Sequence, residues 1–103
     1  MRVTTQILQN QATITPQTLQ GLHSLSEINK AFEQASLAPM VEKIVFDLQH
    51  IEEIDFSAPH MFLLFHEKSQ VREKNLHLIN CKREIRTAFQ YCMPRYAHLL
   101  NVQ

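Results

Sequence analysis

Apolar and polar positions along the chain change period several times, and each change predicts an element. Thr4-Thr5-Gln6-Ile7-Leu8 and Ala12-Thr13-Ile14-Thr15 are short β-branched stretches around Gln9-Asn10-Gln11, a pattern that predicts a hairpin. Pro16 has no amide to give a ladder and fits a bulge or an edge, after which Thr18-Leu19-Gln20 would resume the strand as far as Gly21. Ser24-Leu25-Ser26-Glu27 has the form of a capping box, so a first helix is expected to start there. Leu25, Ile28, Phe32 and Ala35 continue at helical spacing until Pro39 stops the segment.

Lys43-Ile44-Val45-Phe46-Asp47-Leu48 is apolar on both faces up to Asp47, as in a central strand covered on two sides. Met61, Leu64, Phe65, Lys68 and Val71 then mark a helical stripe, which predicts a second helix from about Ala58 to Lys74. Pro59 is tolerated in its first turn, and Lys68, Arg72 and Lys74 would complement the dipole at its far end. A second buried strand follows at Leu76-His77-Leu78-Ile79-Asn80, then a third helix with Ile85, Ala88, Phe89 and Cys92 on one face. Pro94 would end it, and Tyr96, Leu99, Leu100 and Val102 supply a last turn or strand. Strands alternating with helices call for a mostly parallel sheet with helical crossovers. The expected fold is α/β, a mixed four- or five-stranded sheet with its helices mainly on one face. Ile44, Phe46, Leu64, Phe65, Leu78, Ile85 and Phe89 are expected in or near its core.

At 103 residues, 45% of them apolar, the chain suits a single domain over 1–103. The longest apolar run, Met61 to Phe65, is far shorter than a membrane span of ~20 residues, and the first residues lack the apolar core of a signal peptide, so a cytoplasmic location is expected. The formal charge is zero, which gives no general basic field for nucleic acid. The charge is nevertheless uneven. Residues 1–67 hold three Lys/Arg against eight Asp/Glu, and residues 68–103 hold seven against two.

Cys81 and Cys92 lack the spacing of a zinc or redox motif, and both read as free thiols, with Cys92 on the apolar stripe of the third helix. His60 and His66 are six residues apart, which turns them about 120° from each other on a helix and makes a shared metal unlike them. His50 has no nucleophile motif around it. No metal, no cofactor and no catalytic residue is expected.

Several segments in order resemble one family. Gly21-Leu22 resembles its glycine before the first helix, Ile44 to Leu48 its buried strand ending in Asp-Leu, and Ile54-Asp55-Phe56-Ser57 the Asp-Ser-Ser that opens its second helix. Leu76 to Asn80 followed by Glu84-Ile85-Arg86 resembles its next strand and helix. On these residues the chain, over about 18–103, is similar to the STAS domains of the anti-sigma-factor-antagonist type.

The resemblance implies a non-enzymatic regulator that binds an anti-sigma factor or a kinase-like protein through the start of the second helix. It places the family's phosphorylated serine on Ser57 and the acidic residue two places earlier on Asp55. The family continues with Gly-Leu-Gly where this chain has Ala58-Pro59-His60, and Phe56 stands at its first serine. The partner surface is expected at Glu52, Glu53, Asp55, Phe56, Ser57, Pro59 and His60. From position alone Ser57 also reads as an ordinary helix cap, with its hydroxyl accepting from the His60 amide. An alternative is a docking subunit of a transporter or signalling assembly that uses the same surface without phosphorylation, for which Phe56 and Pro59 offer apolar contact.

Overall fold

The computed structural model describes residues 3–55 and 57–92, the side chain of Cys92 excepted. Within them the chain runs β1 (Val3–Leu8), β2 (Gln11–Pro16), α1 (Leu22–Leu37), β3 (Lys43–Asp47), α2 (Ser57–Val71), β4 (Asn75–Ile79) and α3 (Arg83–Cys92). The turn or strand expected at Tyr96 to Val102 lies outside the described residues, as does Phe56.

The hairpin forms as expected. Leu8 pairs with Gln11 across the two-residue loop Gln9-Asn10, and Gln9 takes a positive φ of 56° to close it. The sheet order is β1-β2-β3-β4, with β1 antiparallel to β2 and the other pairs parallel. Both parallel connections step in the same direction across the sheet, so right-handed crossovers put α1 and α2 on the same face. In the paired rows Ala12–Ile44–Leu76 and Ile14–Phe46–Leu78, every side chain is buried beneath those helices. Pro16 ends β2 opposite Val3, past Ile14, the last β2 residue paired with β3, so its missing N–H leaves no parallel bond unmade.

Thr13, Val45 and His77 form a row on the opposite face. Val45 is buried there too, as expected of a central strand. Burial pushes the His77 imidazole below its usual pKa, and the nearby Lys43 charge adds to the shift.

Five phenylalanines knit the helices to the sheet. Phe32 of α1 stacks on Phe65 of α2 at 4.2 Å, Phe65 lies parallel to Phe46 of β3 at 5.5 Å, and Phe62 meets Phe46 edge-on at 4.9 Å. Phe89 brings in α3 by an edge contact with Phe62 at 5.6 Å. This cluster fixes the rotation of α2 and corrects the expected stripe. Ala58, Pro59, Phe62, Phe65 and Ser69 are its buried residues, whereas Leu64 is 55% and Val71 84% exposed. Of the seven expected core residues, Leu64 is the one that faces out. Met61 to Phe65 are all apolar, so hydrophobicity allowed more than one face, and aromatic packing with Phe32 and Phe46 chose between them.

Two helix boundaries also differ from expectation. Helix α1 starts at Leu22 with Gly21 as its cap, and the Ser24–Glu27 box is not used: Ser24 is buried and Glu27 lies 2.9 Å from His23. Helix α2 stops at Val71 because Glu73 turns to φ 59°. There the Lys74 amide bonds to the Ser69 carbonyl and the Glu73 amide to the Gln70 carbonyl, the paired bonds of a Schellman ending.

The basic side chains near that end serve α1 more than their own helix. Lys68 and Arg72 reach Glu33 at 2.7 and 3.0 Å. Arg72 also bonds the Ser36 hydroxyl, and Lys74 donates to the carbonyls of Ala38 and Val41 at 3.0 and 2.5 Å. The Lys68 hydrogen bond, with Arg72 adding to it, holds the Glu33 carboxyl below its usual pKa against the opposing effect of burial.

Candidate functional site

Two connections meet where β3 ends and α2 begins. Asp47 closes β3 by accepting from the Gln49 amide at 3.1 Å, from the Gln49 side chain at 2.8 Å and from Asn80 at 2.9 Å. The chain then passes the buried Leu48 and Ile51 into the acidic loop. That loop is tied on both sides. Toward α1, Ile54 bridges to Leu19, the Asp55 amide bonds the Leu19 carbonyl, and Glu53 accepts from Gln20 at 3.1 Å. Toward α3, Glu52 meets Lys82 at 2.5 Å.

The most informative of these contacts is a hydrogen bond from the Gly21 amide to Asp55 Oδ2, at 2.8 Å. Gly21 stands at φ 88°, ψ 141°, a region that side chains other than hydrogen rarely enter. A Cβ there would meet nothing within 4 Å, so the requirement for glycine comes from the backbone torsion and not from crowding. Gly21→Ala is therefore expected to cost about 1–3 kcal/mol. An unchanged midpoint in denaturant unfolding would show that the backbone relaxes without loss.

Ser57 is the first residue of α2 and is exposed. Its expected role as the residue before the helix, accepting from the His60 amide, is not the one it has. The entry turn is closed instead by the Ala58 amide on the Asp55 carbonyl at 3.0 Å. Of the other expected surface residues, Glu52, Glu53 and His60 are exposed and Asp55 is half-buried. Pro59 is buried in the first turn of α2, so it packs inward and offers no contact surface. Phe56 lies outside the described residues.

Three features of the site were not foreseen. Lys82 brings a positive charge to a loop whose own stretch, from Val45 to Glu67, contains no Lys or Arg. The Gly21–Asp55 bond joins positions 34 residues apart, although the lone glycine signalled an unusual backbone. Leu22, next to that bond, is 86% exposed, a large apolar side chain at the start of a helix with no core to enter.

Among the described residues no group of three His, Cys, Asp or Glu side chains could hold a metal ion, and no helix is long and apolar enough to cross a membrane. Cys81 is buried and in no disulfide, and nothing is described of the Cys92 side chain.

No family model and no curated protein matches the sequence. Among solved structures, the chain is similar to the anti-sigma factor antagonist SpoIIAA in its unphosphorylated form, with a TM-score of 0.77. The superposition covers 98% of this chain and 85% of that one at 15% sequence identity. Most side chains therefore differ while the path of the backbone is kept, and the likeness is one of architecture: a mixed four-stranded sheet with three helices, the STAS fold of SpoIIAA.

Proposed function

We propose that the chain is a regulatory binding module of the anti-sigma-factor-antagonist kind, acting in the cytoplasm by engaging an anti-sigma factor or a kinase-like regulatory protein. The contact surface is the acidic loop and first turn of α2, with Glu52, Glu53, Ser57 and His60 outermost, and phosphorylation of Ser57 controls it. The observation that carries this reading is the exposed Ser57 at the start of α2, on a loop held by the Asp55–Gly21 and Glu52–Lys82 contacts. The Ala58 amide is taken by the Asp55 carbonyl and Pro59 has no N–H, so a phosphate on Ser57 would draw chiefly on the positive end of the helix dipole. It would also add about −1.5 to −2 charge next to Glu53 and Asp55. SpoIIAA is itself an anti-sigma factor antagonist, and the shared architecture supports the same class of work here.

The test is calorimetric binding to an anti-sigma factor or kinase-like ATPase from the same cells, with wild type and Glu53→Lys compared. Glu53 is suited to this because it is exposed and, among the described residues, its side chain bonds the Gln20 amide, so reversing its charge costs the fold little. Association is expected to slow and its salt dependence to change. Unchanged affinity and rate would move the interface elsewhere.

A second reading, a docking subunit of a transporter or signalling assembly without phosphorylation, draws on the exposed Leu22 beside Gly21. Pro59, being buried, no longer supports it. That reading predicts loss of binding on Leu22→Ser and indifference to charge at Ser57.

A further inference from the structure

Strand β1 is an edge of the sheet: among the described residues its partner is β2 alone. Edge strands usually carry a device against further pairing, such as a lysine, a proline, a bulge or very short length. The six residues Val3-Thr4-Thr5-Gln6-Ile7-Leu8 include no charge and no proline, and they pair with β2 without a bulge.

The hairpin register states which backbone groups of β1 face outward. In a two-residue hairpin the closing pair, here Leu8–Gln11, exchanges hydrogen bonds, and bonded and non-bonded pairs alternate from there. Gln6–Thr13 and Thr4–Thr15 are then bonded pairs, and Val3–Pro16 falls on a non-bonded one, as proline requires. The N–H and C=O groups of Val3, Thr5 and Ile7 therefore point away from β2. Their side chains lie on the helix-bearing face, in line with Ile14 and Ala12, where Ile7 is still 45% exposed.

We infer that β1 is a homodimer seam, in which a second copy of this chain adds its own β1 antiparallel about a two-fold axis through Thr5. In that register Val3 pairs with Ile7 of the second copy, Thr5 with Thr5, and Ile7 with Val3. All the outward groups are satisfied in bonded pairs. The arrangement is self-complementary, as a two-fold contact must be, and makes one continuous sheet of both copies. It sets apolar Val3 against apolar Ile7 twice on the helix-bearing face, where cross-strand pairs stabilise a sheet, with a threonine pair between them. It also brings Thr4 opposite Gln6 of the second copy at a non-bonded site, with Cα atoms about 4.5 Å apart.

Sedimentation equilibrium of the wild-type chain up to millimolar concentration is expected to show a closed dimer. Thr5→Pro removes an amide that faces outward and not into the β2 ladder, so the variant should keep the wild-type circular dichroism and remain monomeric. Should Thr5→Pro not fold, Ile7→Lys carries the same test by placing a charge at the seam. Mixing Thr4→Cys with Gln6→Cys chains under mild oxidation should cross-link them, and either variant alone should cross-link far less. A wild-type chain monomeric throughout, a folded Thr5→Pro that still dimerises, or growth beyond the dimer, as a β1-to-β4 contact would give, overturns the seam.

Discussion

Truncating Phe46 to alanine is expected to remove about 3–5 kcal/mol of folding stability. The ring is fully buried and touches Phe32, Phe62 and Phe65, which belong to two different helices. A methyl group in its place leaves a void under both α1 and α2, and the stacked pair Phe32–Phe65 cannot fill it without separating from each other. Losses are this large where surroundings collapse poorly, and a position clamped from two elements is such a place. Urea unfolding checks the value. A loss below about 1 kcal/mol would mean that the cluster repacks and that β3 is not the centre of the core.

Ser57→Asp is expected to weaken the regulatory partner by about tenfold or more, near 1.4 kcal/mol, while Ser57→Ala binds like wild type. Alanine removes an exposed hydroxyl and leaves the Ala58–Asp55 entry turn in place. Aspartate adds one charge where a phosphate adds about −1.5 to −2, so it reproduces the switch only partly. Phosphoprotein taken from native cells should therefore bind more weakly than Ser57→Asp. Mass spectrometry of that protein, with titration of both variants, decides the matter. A Ser57 unmodified under all growth conditions, together with wild-type binding by Ser57→Asp, sinks the switch and leaves the docking-subunit reading.

The order of elements along the chain, the hairpin and the three helices were legible because they depend on local period and on punctuation by Gly21, Pro39 and the turn residues. The rotation of α2 was not. Met61, Phe62, Leu63, Leu64 and Phe65 are apolar without interruption, and the choice of buried face was made by rings on α1 and β3 that no local window contains. The capping box at Ser24 failed for a related reason: its serine sits under the core, while Gly21, pinned to Asp55, starts the helix a turn earlier. At the candidate site the exposed residues Glu53, Ser57 and His60 could be named from the family resemblance together with the acidic run before Ser57. What holds them could not be, since Asp55 is anchored by Gly21, and Glu52 by Lys82, at separations of 34 and 30 residues.

The register of the parallel strands bears on how the chain reaches this structure. Gln11 pairs with Lys43 and Lys43 with Asn75, an interval of 32 residues in both cases. Each parallel pairing must therefore close a long loop before any contact repays the lost entropy, and by this measure neither has an advantage in speed over the other. The hairpin spans only a two-residue loop and can close in about 1–10 μs, much sooner than either. On these grounds β1 and β2 come together first and wait for β3. Until the crossover through α1 arrives, the hairpin's inner flank is as bare as its outer one.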